Sequence, residues 1–223
     1  MRLLLPFLIL AGLATNAPGQ EYPPRAGKFG ISVKAGPAIP VAPFSDTFGI
    51  GFTGFVDVPY NLTENLQIYL GTGFSRFNID NGKLAEELPG ETVTSSVDAP
   101  YLVIPVVLGI NYSYRYKSFW PYFTVSIGIY FQKLESSGSV TTNGLMAPLL
   151  SHEQTWSQDA FAVGLGSLIP LGNEGWAVDL NAKYNAVVND AGVVLITTSP
   201  SNSFSTRAVR YVSVLGGLSY TFR

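Results

Sequence analysis

Eight segments of this 223-residue chain alternate apolar with polar residues, and the gaps between them are by turns long and short. In the first, Phe29, Ile31, Val33 and Ala35 point one way, while Lys28, Ser32 and Lys34 point the other. The last repeats the pattern, with Val212, Val214, Leu218, Tyr220 and Phe222 set against Ser213, Ser219, Thr221 and Arg223. A period of two places successive side chains on opposite faces of a strand. Such a sheet can bury its apolar face in a soluble core or turn it outward to lipid.

The segments cover about 27–36, 48–58, 65–77, 100–112, 119–132, 156–168, 176–188 and 208–223, each long enough to cross a bilayer at a tilt. The gaps 59–64, 113–118 and 170–175 are short and turn-rich; 37–47, 78–99, 133–155 and 189–207 are long. Strict alternation brings both chain ends to the short-turn end. Outer-membrane barrels show this asymmetry, with short periplasmic turns and longer extracellular loops.

Glycine placement bears on the same choice. Gly30, Gly36, Gly49, Gly51, Gly71, Gly73, Gly109, Gly128, Gly164, Gly166 and Gly217 share the polar face; Gly54 and Gly216 are exceptions. The opposite face is bulky and almost uncharged, with Ile68, Leu70, Ile104, Val106, Leu108, Val125, Ile127 and Leu180. Small residues suit the concave inside of a narrow barrel, where volume is limiting. A soluble barrel would invert this arrangement. The fold expected is all-β: an eight-stranded antiparallel up-and-down transmembrane β-barrel.

Only 13% of residues are charged, about half the usual share for a soluble domain. The net charge of -2 offers no basic field for nucleic acid. Cysteine is absent, which excludes disulfides and thiolate metal sites. Arg2, the short apolar run 3–13 and the small residues Ala14, Ala17 and Gly19 read as a signal peptide over 1–19, cleaved before Gln20. Residues 20–26 then form a periplasmic lead-in, and 27–223 the barrel. Aromatic belts are expected at both membrane interfaces. Phe29, Tyr112, Phe119, Trp176, Tyr220 and Phe222 stand at the periplasmic one, and Phe48, Phe74, Phe131, Trp156, Tyr184 and Tyr211 at the outer one.

The leader, the eight strands and the closing Gly217-Leu218-Ser219-Tyr220-Thr221-Phe222-Arg223 resemble the small outer-membrane barrels of the OmpX, OmpA and OmpW type. Tyr101-Leu102-Val103-Ile104-Pro105-Val106-Val107-Leu108-Gly109 is similar to a strand of the PorT-like outer membrane protein beta-barrel domain family of Gram-negative bacteria. The resemblance implies an outer-membrane location and an assembly signal in Tyr220 and Phe222, read by the barrel-assembly machinery. Phe222 is penultimate rather than terminal, a departure from the usual signal.

Chemistry-bearing residues are few. Lys28, Lys34, Asp57, Asp179 and Lys183 fall on the inner face, where they are expected to pair within a polar network including Gln67, Asn111, Asn181 and Asn185. The alternative for these groups is a small gated path or a ligand site. His152, the single histidine, lies beside Ser151 and Glu153 in a long loop, a spacing that implies no base–nucleophile geometry. No catalytic, cofactor or metal site is expected. The apolar runs 145–150 and 193–196 read as strand extensions above the membrane, or else as the rim of a hydrophobic ligand entrance. The leading expectation is a non-catalytic barrel with a structural or surface-interaction role, whose partners are membrane lipid and the assembly machinery. Transport or binding of a small hydrophobic molecule comes second, and an outer-leaflet lipid-modifying enzyme third.

Overall fold

The computed structural model describes residues 25–80, 93–98, 100–116, 118–142, 145–172, 174–188, 193–196, 203–206 and 208–222. The expected leader and its cleavage point lie outside these. The strands are β1 (Gly30–Pro40), β2 (Gly51–Asn61), β3 (Leu66–Phe77), β4 (Val93–Asp98), β5 (Tyr101–Ser113), β6 (Trp120–Thr142), β7 (Leu145–Pro170), β8 (Trp176–Val187), β9 (Val193–Ile196), β10 (Ser203–Thr206) and β11 (Arg210–Thr221). Eight of them close an antiparallel ring in the order β1, β2, β3, β5, β6, β7, β8, β11, with β11 returning to β1. Closure removes the strand edges that an open sheet would expose.

The period-two pattern is realised as inside against outside. Ile104 is 39% exposed, Ile127 64% and Leu165 66%, all on the outer wall, while Ser32, Lys34, Asp57, Asp179 and Lys183 are buried inside. Two of the prolines within these strands interrupt a pairing without shifting the register. Pro105 interrupts the β3–β5 pairing between Thr72↔Val106 and Ser75↔Val103, yet its other side still pairs with Tyr130. Pro37 likewise keeps Phe52 on β2 while its β11 side is skipped. A missing N–H costs one ladder bond, and the neighbouring strand holds the alignment.

The largest departure from the sequence reading is at the long-loop end. The gap 133–155 is not a loop: β6 runs 23 residues and β7 runs 26, paired as far as Thr142↔Leu145 with one irregularity between Ser136 and Gly138. The backbone pairing of the two strands continues here although the sequence no longer alternates as it does along the wall. β4 adds to the side of β6, from Val93↔Thr142 to Asp98↔Ser137. The run 193–196 is β9, which pairs with β10. β1 also continues to Pro40, into the expected loop.

Candidate functional site: the barrel interior

Side chains fill the barrel in tiers. At the short-turn end, Arg25 is buried and its guanidinium lies 4.8 Å from the Trp120 ring centre. The Arg25 amide donates to Glu64 Oε1 and Oε2 at 3.1 and 3.2 Å, and the Ala26 amide donates to Oε1 at 3.1 Å. Gly27 then turns the chain at φ +74 and donates to the Asn61 carbonyl at 2.7 Å. Trp120 packs with Tyr122, Leu168 and Ala177 above this closure.

The next tier is ionic. Lys34 Nζ stands 2.7 Å from Asp57 Oδ2 and 2.9 Å from Asp179 Oδ2. It donates a hydrogen bond to Asp179, whereas the contact with Asp57 Oδ2 is close but off-axis, an ion pair without an aligned donor. Tyr122 donates to Asp179 Oδ1 at 2.6 Å, Ser32 donates to Oδ2 at 3.3 Å, and Asn181 Nδ2 donates to Tyr122 at 3.0 Å. Below them Gln67 donates to Asn61 and Asn111 donates to Gln67.

Register explains this convergence. Lys34 faces Gly217 on β11, and Gly217 faces Asp179 on β8. The lysine reaches its carboxylate across a residue with no side chain: a Cβ at Gly217 would fall 2.8 Å from Lys34 Cγ and 2.0 Å from the Val33 carbonyl. Gly109 and Gly166 seat the Tyr69 and Tyr122 rings in the same way, their built Cβ atoms falling 2.2 and 2.3 Å from ring carbons.

Lys183 occupies a third tier. Its ammonium lies 4.7 Å from the Phe55 ring centre and 5.0 Å from that of Tyr69, and donates to the Tyr69 hydroxyl at 3.4 Å. Among the described residues no carboxylate pairs with it, so aromatic faces carry its charge. Tyr69 and Thr124 share a hydrogen bond, Tyr130 donates to Asn185, and Asn185 donates to Ser213. The cavity between these groups measures about 20 Å³, room for roughly one water.

An aromatic plug closes the long-loop end. The segment 41–50 turns inward through a short 3-10 helix, Phe44–Asp46, and buries Phe44 and Phe48 completely. Their rings lie 4.6 Å apart, with Phe77 5.0 Å and Tyr101 5.4 Å from Phe44. Tyr211 and Trp156 complete the cage. Tyr101 donates to Gln132, and Gln132 to Gln158.

The structure therefore brings Lys34, Asp57 and Asp179 together and holds Lys183 apart. Lys28 precedes β1, half-buried, and its carbonyl accepts from the Asn61 backbone and side chain. Tyr220 and Phe222 are on the outer wall, stacked in an edge-to-face contact beside Trp176. Phe48, Trp156 and Tyr211, placed by the sequence in the outer belt, pack inward instead. Tyr211 shares the parity of Ser213, which was legible; Phe48 lies outside any strand, where parity says nothing. Arg25 and Phe44 escaped sequence reasoning because both sit in connecting segments. His152 lies on β7 opposite Ser136, and its side chain falls outside the described set. Among the described residues no three potential ligands cluster as a metal site.

A closed eight-stranded antiparallel barrel with an apolar outer wall and a packed polar interior defines the class of small membrane-spanning β-barrels. The chain belongs to the outer membrane protein beta-barrel domain family, whose model matches residues 5–222. It is an outer-membrane protein. No curated protein matches it by sequence. Among solved structures, a major outer membrane protein from Thermus thermophilus is similar at a TM-score of 0.54 and 14% identity, covering 87% of this chain and 99% of that one. Neisserial surface protein A gives 0.50 at 14%, covering 87% and 97%. OprG from Pseudomonas aeruginosa gives 0.50 at 15%, covering 89% and 97%. At these identities the likeness is one of fold.

Proposed function

We propose that the protein is a non-catalytic outer-membrane barrel that acts through its surface, displaying the β6–β7 ribbon and its neighbours outside the cell. In this reading a leader over 1–19 exports the chain, both termini are periplasmic, and the assembly machinery reads the Tyr220 and Phe222 strand. The Lys34–Asp57–Asp179 network is internal scaffolding that fixes β1, β2 and β8 to one another. The observation that carries the reading is the filled interior, blocked by Arg25 at one end and by Phe44 and Phe48 at the other. Eight strands leave an interior that side chains fill. Protease treatment of intact cells tests the orientation: cleavage within 133–155 is expected, and cleavage only after the outer membrane is opened would reverse it. A lipid A modification assay on wild type and His152→Ala tests the non-catalytic half. Modification that the substitution abolishes would overturn it.

A second reading, binding of a small hydrophobic molecule, is favoured by one observation. The Phe77, Tyr101 and Tyr211 cage beneath segment 41–50 is aromatic and buried. A ligand there would have to displace Phe44 and Phe48. Enhanced uptake of an alkane-like tracer by cells carrying the protein would favour this reading over the first.

A further inference from the structure

Lys183 is the least satisfied charge of the interior. It is buried in the lumen, and its ammonium has three N–H donors to place. One reaches the Tyr69 hydroxyl at 3.4 Å, a long bond. The Phe55 and Tyr69 rings take part of the charge, but ring faces attract an ammonium less strongly than the water it has given up. The carboxylates of the neighbouring tier answer another cation, since Asp57 and Asp179 both pair with Lys34. All eight ring strands are described at this height. Among the described residues the buried charges are Arg25, Lys34 and Lys183 against Asp57 and Asp179, so the interior is one negative charge short.

The cavity of about 20 Å³ beside Lys183 is lined by Phe55, Ser126, Tyr130 and Tyr211. That is room for roughly one water, and a halide ion needs little more. The hydroxyls around it are not all spent. Thr53 donates to the Phe74 carbonyl and Tyr130 to Asn185, whereas Tyr211 accepts from Ser75 and keeps its own proton. Ser126 is buried against the cavity and donates to no other described residue. We propose that this cavity is a halide site: one chloride accepts from the Lys183 ammonium and from the Tyr211 and Ser126 hydroxyls. A carboxylate or phosphate ligand is too large for it. A water would serve the hydroxyls and leave the ammonium uncompensated. The Arg25 closure at one end and the Phe44 and Phe48 plug at the other enclose the site, so the ion is captured as the strands close. The site lies inside the wall and stands whichever way the long loops point.

The test is urea unfolding of the full chain in lipid vesicles at constant ionic strength, with chloride exchanged for gluconate, an anion too bulky for the cavity. Above saturation the unfolding constant should fall about tenfold for each tenfold rise in chloride, the signature of one ion bound to the folded state. Bromide should act as chloride does, and crystals grown with it should show an anomalous peak within hydrogen-bond reach of Lys183. Lys183→Met should abolish the chloride dependence. Tyr211→Phe keeps the ring and removes one donor; it should weaken the dependence, and it decides the matter should the first variant fail to fold. Equal stability in chloride and gluconate, a chloride dependence that survives Lys183→Met or is untouched by Tyr211→Phe, or a water beside Lys183 in the bromide crystals would each overturn the proposal.

Discussion

Lys34 is where the interior is most sensitive to a single atom. It holds two buried carboxylates that would otherwise face each other, and it does so because Gly217 leaves a path across β11. Removing one member of a buried ionic group costs about 3–5 kcal/mol, because the partners are left uncompensated. Lys34→Met is therefore expected to lose stability on that scale in urea unfolding from lipid vesicles. The triple change Lys34→Met with Asp57→Asn and Asp179→Asn should recover much of it. A loss under about 1 kcal/mol for the single change, the size of an exposed pair, would show the network to be dispensable. Lys183 behaves differently, since its charge rests on the Phe55 and Tyr69 rings rather than on a carboxylate.

Each strand of the barrel has an apolar face that must stay in lipid. Ile127 stands near the middle of the β6 crossing and is 64% exposed on the wall. Ile127→Arg is expected to cost about 2–4 kcal/mol in a folding titration, and full tolerance would contradict the inside–outside assignment. Above the wall, the β6–β7 ribbon obeys another rule. Glu135 and Glu153 are directly opposite, a destabilising pair in isolation, and Lys133 bridges them at 2.6 and 3.1 Å. Lys133 holds the Glu135 carboxyl below its ordinary value, and the hydrogen bond to Glu135 raises the Lys133 ammonium above its own. The carboxylate's contribution is present above the ordinary glutamate range and lost as the pH falls through the lowered value. The lysine's is present below the ordinary lysine range and lost as the pH rises through the raised one. Amide protection in the ribbon should then be greatest between those limits and weaken in acid and in salt. Protection that is flat with pH would remove Lys133 as the bridge.

As a whole the molecule is a wall around a filled interior. The plug of Phe44 and Phe48, the Tyr69 and Lys183 tier, the Lys34 tier and the Arg25 closure lie one beneath another. Planar-bilayer recordings should show no current of porin size. The double variant Phe44→Ser with Phe48→Ser should remain closed as well, because the tiers below still occupy the lumen. Large stable currents from the variant alone would show that segment 41–50 is the one barrier. Such currents from wild type would show that the tiers do not block the lumen in a bilayer.

The alternation of apolar and polar residues determined the strand count, the antiparallel closure and which wall meets lipid, because a period of two has one geometric reading once the bulky face carries no charge. It also placed Lys34, Asp57, Asp179 and Lys183 on the inner face by parity alone. Parity says nothing about height around a tilted ring, so it could not say that Lys34 reaches two acids while Lys183 rests on aromatic rings. Nor does it act where there is no strand, which is why Arg25, Phe44 and Phe48 closed the barrel unannounced. The β6–β7 ribbon was legible only in part: the run 145–150 read as a strand extension, while the rest of 133–155 read as loop because it lacks the alternation that marks the wall, although its backbone pairing continues. Which side chains share a tier, and which connecting segments fold back into the lumen, was decided only when eight strands closed at one register.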